Sequence, residues 1–487
     1  MKLFFKYPLV LIFSFFTIVY ALISLVNHYN FRTYALDLGL YTNALYDYLH
    51  LQWNDSSVFK EVPENLLADH FDLYLIFFAP FSLLFGTYTL LVIQIIFIIV
   101  GAYGIYLYFQ SRFNAANSRV SYWLMLSFLL FFGIYSALSF DYHSNVVASM
   151  LVPYLFINIR EEKWKSAFWI LFFICIGKEN MSLWMCFVLM GLMWEYKNNT
   201  KALKHLSLMF LFSMGYFILV TKYVMPYFSN DGKFLQFHYS ILGNNFSSAI
   251  KTVLTHPIDI LKVLFINHIN EPRGEFVKLE THIFVLLSGL WALFFKPHYI
   301  LMLLPIYFQK MFHDDYQKWS IDAHYSIEFA PILIIGAGEW IMQLKQKKLQ
   351  FYFAVILVIL NLSCTIRLMD RTIMFTNKSR YRIYQISHYQ RDFDIKNVYK
   401  ALEIIPENSI VSAQTSILPH LALRDKIYTF PIIKDAEYVI VNMNDDAFPL
   451  DSINLKIKVN EIMSDSNWQK IYDHYPVFVF KRNISKR

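Results

Sequence analysis

LLADHFDLYLIFFAPFSLLFG, residues 66–86, sets Asp69, His70 and Asp72 directly in front of an apolar run. As a helix, the part from Leu73 to Gly86 would cover only about 20 Å of a hydrocarbon core roughly 30 Å thick. Whether it crosses a bilayer or lies along one decides the side on which every later loop falls.

That a bilayer is involved follows from composition. The 487-residue chain is 56% hydrophobic and 19% aromatic with only 16% charged residues, well outside the soluble average. Apolar runs of roughly 20 residues recur, and they are continuous rather than alternating, which points to helices and not to a barrel. The fold class is an all-α polytopic membrane protein. Phe4 to Val26 is followed by NHYNF rather than a small-residue cleavage site, so it reads as a retained first span. Cys175, Cys186 and Cys364 lie inside apolar runs without paired or metal-type spacing and read as core thiols. The net charge of +7 collects in short connections between apolar runs, a mark of membrane topology that excludes a nucleic-acid partner.

Lys2 and Lys6 precede the first span, so the positive-inside rule starts the chain in the cytoplasm of a cell-membrane protein. If Leu73 to Gly86 lies in the outer interface, Tyr88 to Phe109 crosses inward and delivers Arg112 and Arg119 to the cytoplasm. Spans near Val120–Leu138, Asn145–Ile159, Ser166–Gly177 and Met181–Trp194 then keep Arg160, Lys163, Lys165, Lys197, Lys201 and Lys204 inside. Leu206–Met225, His282–Phe295, Tyr299–Phe308, Ile327–Leu344 and Phe351–Leu368 continue the alternation, giving about eleven spans. Residues 1–368 form the membrane domain. From 369 to 487 the composition changes: the strand-like runs SIVSAQ, KIYTFP and EYVIVNM predict a small exterior α/β domain without a glycine-rich phosphate loop. No internal repeat is evident.

This topology puts the unusual ionisable residues on the outer side: Arg32, Asp37, Asp47, Asp69, His70, Asp72, Asp141, His143, Lys178, Glu179, Asp322, His324 and Glu328. Charges at membrane depth cost about 2.5–3.5 kcal/mol each and mark a pathway or a site. Asp37 sits among apolar neighbours in YALDLGLY, where partial burial raises a carboxyl pKa and suits it to take a proton from a hydroxyl; the plain alternative is a helix cap or solvated loop acid. Asp69 is a natural cap for the short helix, while His70 would orient an acceptor, ligate a metal or serve structure alone. Asp141 and His143 in FDYHSN, with Asp37 and His70, offer oxygen and imidazole ligands to a divalent cation, although no local metal-ligand spacing supports one and no cofactor motif is present. In GKEN, Lys178 and Glu179 interrupt apolar sequence; they form either a minimal helical-hairpin turn or a site where Lys178 attracts a lipid-carrier phosphate. His324, Tyr325 and Glu328 stand at a span entrance, with His324 and Glu328 four apart on one face.

In their order, LDLGLYTNALYD, DHFDLYLIFFAPFSLLFG, FDYHSNVVASMLVP, GKEN and AHYSIEFAP resemble an uncharacterised family of prokaryotic multi-pass membrane proteins, domain of unknown function 2079. That family is similar in turn to membrane glycosyltransferases of the C-type fold that use polyprenyl-phosphate sugars. The resemblance implies an acid in the first exterior loop at Asp37, interfacial helices in that loop with His70 at the start of one, and a pendant exterior domain. The implied reaction is attack of an acceptor hydroxyl on a lipid-phosphate sugar, with Asp37 and His70 catalytic and with Arg32, Asp72, Asp141, His143, Lys178, Glu179, His324 and Tyr325 binding substrate. Leu36 and Asp72 depart from the pattern. The partners would be the polyprenyl-phosphate-linked donor, membrane lipid, and a glycan, lipid or protein acceptor. The rival reading is a transporter or flippase for a lipid-linked or anionic solute; a third is a receptor whose tail binds a partner. An enzyme gathers its ionisable groups at one face, whereas a transporter needs access from both.

Overall fold

The computed structural model describes residues 8–113 and 118–483. Lys2 and Lys6, on which the expected orientation rests, lie outside them. The chain is predominantly helical, with a small sheet near its C-terminus. Among the described residues, five helices suffice by length and composition to cross a membrane: the first is Pro8–Tyr29 and the last Lys347–Asp370. A sixth is added if the pair 119–129 and 132–138, bent by 42°, counts as one span. The other expected spans fall on shorter helices, such as Trp164–Gly177, Glu179–Glu195, Pro297–Met311 and Phe329–Gln343. Fifteen residues reach only about 22 Å, so hydropathy runs of this length do not by themselves amount to crossings.

The opening stretch does not form one helix. Tyr74–Phe78 and Ser82–Phe85 are single turns joined by 3-10 turns at Ala79–Phe81 and Gly86–Tyr88, and a continuous helix begins only at Thr89–Phe113. Gly86 stops the run at φ +54°, a conformation that L side chains rarely adopt. Phe77, Phe81, Leu83 and Leu84 remain exposed. Asp69, the expected cap, instead ends the preceding turn Leu66–Asp69 and accepts a hydrogen bond from Gln236. Asp72 accepts from the Tyr74 N–H at 2.9 Å and so secures the start of the next turn.

The broken segment is fastened to the hairpin turn between Trp164–Gly177 and Glu179–Glu195. Leu73 N–H donates to the Ile176 carbonyl at 3.1 Å and Tyr74 hydroxyl to the Phe173 carbonyl at 2.7 Å. Gly177 allows the approach, since a Cβ there would meet the Tyr74 ring at 2.7 Å.

In the first loop β1 (Asp55–Ser56) and β2 (Glu64–Asn65) pair antiparallel. Near the C-terminus, β3 (Val411–Ala413), β4 (Ile427–Thr429) and β5 (Tyr438–Asn442) realise the three strand-like runs; β6 (Trp468–His474) and β7 (Val477–Arg482) complete a sheet of order β4-β3-β5-β7-β6. β3 is parallel to both neighbours, pairing Val411 with Ile427 and Tyr438, while β7 runs antiparallel to β5 and β6. Phe31, Ala35 and Val58 from the first loop share the core of this sheet with Ile417, Leu418 and Ile440. Residues 378–381 pack back onto the helices, where Lys378 pairs with the buried Asp322.

Gly177→Ala is expected to lower the stability of the detergent-purified protein by about 1–3 kcal/mol through overpacking against Tyr74. A thermal melt indistinguishable from wild type would show that the turn and the interfacial segment are not closely fitted.

Candidate functional site

The segment Ala35–Gly39, wound with one extra residue in its turn, carries Asp37 at the junction of the helices and the sheet. Its backbone is held by Asp141, whose Oδ2 accepts from the Tyr34 N–H at 2.9 Å and the Leu38 N–H at 3.5 Å. On the other side Leu418, after β3, presses on Gly39, where a Cβ would meet its Cδ2 at 2.5 Å. The loop is therefore shaped from both sides before any ligand arrives.

Asp37 Oδ1 lies 3.3 Å from His143 Nε2; the carboxylate is 22% exposed, the imidazole 3%. This geometry calls for the proton on Nε2, leaving Nδ1 as a buried atom without a partner. The His324 ring stacks on His143 with centroids 3.4 Å apart. His143 is set by Gln94, an isolated amide in the apolar helix Thr89–Phe113, which accepts from the His143 N–H at 3.0 Å and donates to the Asp141 carbonyl at 3.1 Å. Nearby, Glu179 accepts from the Phe71 N–H at 3.1 Å and contacts His70 Nδ1 at 3.2 Å. Lys178 is buried, and among the described residues its ammonium forms no hydrogen bond or ion pair.

Charge couples these groups. Burial pushes the Asp37 carboxyl up, but the His143 imidazole, then Lys178 and His70, outweigh it, so its pKa falls below the ordinary value. Desolvation alone would have raised it; the neighbouring histidine decides otherwise, and Asp37 stands ready as a carboxylate. Burial dominates at Asp141 and Asp72, raising each to about 7 against the opposing pull of Arg380 and of the Tyr74 N–H, respectively. His143 and His324 are lowered, chiefly by burial. No group of three or more His, Cys, Asp or Glu side chains in metal-holding geometry occurs among the described residues.

Asp37, His70, Asp141, His143, Lys178, Glu179 and His324 thus come into one neighbourhood, and Tyr325 adjoins His324 with ring centroids 4.1 Å apart. Arg32 goes elsewhere: its guanidinium donates to the carbonyls of Ser387, His388 and Gln390. Asp72 gives Oδ1 to the helix start, while its Oδ2 is buried without a partner and the carboxyl feels the charges of Lys178 and Glu179. Two basic groups join that the sequence did not single out. Arg380 approaches Asp141 at 3.7 Å and lies over the Tyr34 ring at 5.2 Å. Lys318 lies over the Tyr325 ring at 5.3 Å and is lowered by burial and by Lys178, against the opposing pull of Asp315, Asp69 and Asp37. Neither stands out in NKSRYR or YQKWS; Gln94, set within the apolar run LLVIQIIFIIV, was the legible signal.

A second ionisable cluster corrects the expectation that such residues fall on one side. Glu339, fully buried in Phe329–Gln343, meets Arg112, Tyr108, Arg160 at 3.4 Å and Lys296 at 3.8 Å, while Arg112 also reaches Glu195 at 3.8 Å. Glu179 and Glu195 begin and end one helix of 17 residues, so the two clusters stand about 24 Å apart. The isolated glutamate of IIGAGEWIM was the sequence sign.

The family model for a predicted membrane protein, DUF2079, matches residues 27–475. The chain belongs to this family. The DUF2079 match takes in both the helical body and most of the sheet, and therefore all of the Asp37 neighbourhood. No curated protein matches the chain.

The pH dependence of Asp141 has a definite sign. Its folded pKa is near 7 and its unfolded pKa about 3.9, so between these values the folded state binds more protons and stability falls as pH rises. Asp141→Asn removes this slope: its melting temperature should gain on wild type from pH 4 to 7 and hold a constant difference above. A difference independent of pH would show that Asp141 is ionised throughout.

Proposed function

We propose that this DUF2079 protein is an inverting membrane glycosyltransferase of the C-type fold, transferring a sugar from a polyprenyl-phosphate donor to an acceptor hydroxyl. In this reading the shorter helices also cross a locally thinned bilayer, giving about eleven spans. The N-terminus is cytoplasmic in the cell membrane, residues 1–368 form the membrane domain, and 369–487 stand outside. The observation that carries the proposal is the pairing of an ionised, partly accessible Asp37 with His143 beside two lysines, the buried Lys178 and the half-buried Lys318, neither of which forms an ion pair with a carboxylate among the described residues.

The chemistry divides between these groups. Asp37 takes the acceptor proton as the hydroxyl oxygen bonds to the anomeric carbon from the face opposite the phosphate. The bond from that carbon to the phosphate oxygen breaks, and its electron pair leaves with polyprenyl phosphate. His143 keeps Asp37 oriented and ionised, and Lys178 and Lys318 oppose the charge growing on the leaving phosphate. His70, held by Glu179 and one-fifth exposed, orients the acceptor.

Full-length protein in nanodiscs, given a panel of polyprenyl-phosphate hexoses and pentoses, should release polyprenyl phosphate. Asp37→Asn should slow release by about a hundredfold or more without changing the thermal melt. Retained turnover in this variant removes Asp37 from the base role. Lys178→Gln and Lys318→Gln should each weaken donor binding.

One observation favours the transporter or flippase reading: Glu339 and its cations give the far end of the bundle an ionisable cluster of its own. It predicts flux of a fluorescent polyprenyl-phosphate lipid across proteoliposomes that Glu339→Gln impairs and Asp37→Asn does not. Absence of flux alongside sugar transfer would leave the Glu339 cluster a fastening between helices.

A further inference from the structure

Away from Asp37, a cleft of about 450 Å³ opens beside the start of Val277–Val285. Its floor holds Lys278, 2% exposed, whose ammonium donates to the Val263 carbonyl, meets His268 Nδ1 at 3.0 Å and lies 4.3 Å over the Trp319 ring. Among the described residues no carboxylate pairs with it. Glu275 at the mouth is exposed and accepts from the Asn267 amide at 2.9 Å instead. A desolvated ammonium without a counter-charge is costly and favours an incoming anion. Beside it, Asn267 Oδ1 is buried and has no donor.

The rim is apolar. Phe265 and Phe276 are each 67% exposed. Phe276 holds φ +61°, an unusual conformation for a bulky side chain, and so keeps its ring at the mouth. Across the helices Phe246–Thr255 and Pro257–Val263, Ile250, Leu254, Ile258 and Leu261 form an exposed stripe at helical spacing that leads to Phe265. Leu279, Ile283 and Leu286 continue it down the next helix. The cleft therefore opens where this apolar surface meets a buried lysine that no carboxylate pairs among the described residues.

We infer that the cleft binds an anionic phospholipid from the adjacent leaflet, with its phosphate on Lys278, a headgroup donor on Asn267 Oδ1, and its chains over Phe265 and Phe276. The buried lysine and the exposed apolar residues of the adjoining helices select this occupant, and the inference does not depend on the glycosyltransferase reading. Trp319 directly follows Lys318, so an occupied cleft would brace the short turn Tyr316–Trp319 that carries Lys318 to the Asp37 site.

Native mass spectrometry of the full-length protein tests it, with phosphatidylglycerol, phosphatidylcholine, polyprenyl phosphate and inorganic phosphate as probes. Wild type should retain phosphatidylglycerol in preference to phosphatidylcholine, Lys278→Gln should retain it about tenfold less or weaker, and Lys278→Arg should restore it. If Lys278→Gln does not fold, Phe265→Ser, a change at an exposed rim position, should also lower phospholipid retention. Equal retention by wild type and whichever variant folds overturns the site. Displacement by inorganic phosphate alone, or only by polyprenyl phosphate, overturns the phospholipid assignment in favour of a free-anion or a donor-lipid site.

Discussion

The Glu179 carboxylate connects the parts of this protein that matter for its candidate site. It stands at the first residue of a helix, accepts the Phe71 N–H, and contacts the His70 ring. A carboxylate at a helix N-terminus is favoured by the helix dipole, and each hydrogen bond to it is stronger than one between neutral groups. With Gly177 and the Ile176 carbonyl it fixes the broken segment 70–86 against a hairpin turn. Without that attachment the short apolar run would lose its hold on the hairpin, and His70 its bearing on Asp37.

The same economy of means appears at Asp37. Its loop is held on one side by Asp141 and Gln94 from the helical body, and on the other by Leu418 from beyond β3. The sheet is thus more than an appendage, because first-loop residues complete its core and its own residues shape the loop that bears the acid. Burial would leave a lone aspartate protonated near neutrality, as it does for Asp72 and Asp141; contact with His143 is what sets Asp37 apart.

Against this arrangement the far cluster around Glu339 shows the other use of buried charge. Arg112, Arg160 and Lys296 come from different stretches of chain and converge on one carboxylate. Such a network fixes which helices are neighbours even where its net stabilisation is small. Two polar layers separated by about 24 Å of apolar packing are what an enzyme with a braced base, or a carrier with two ends, would each require.

The sequence alone determined the membrane class, the brevity of the apolar run at residues 73–86, three strands of the sheet, and a set of ionisable residues that converge around Asp37. These rest on hydropathy, residue spacing and turn chemistry, which are local properties. Only the tertiary structure decided that Arg32 clamps carbonyls near His388, that Asp72 rather than Asp69 secures the interfacial turn, and that Lys318 and Arg380 enter the neighbourhood while Glu339 gathers cations at the far end. The reason is physical: a charged side chain is directed by partners many residues away, such as Asp37 and His143, and their meeting depends on packing that no local pattern encodes.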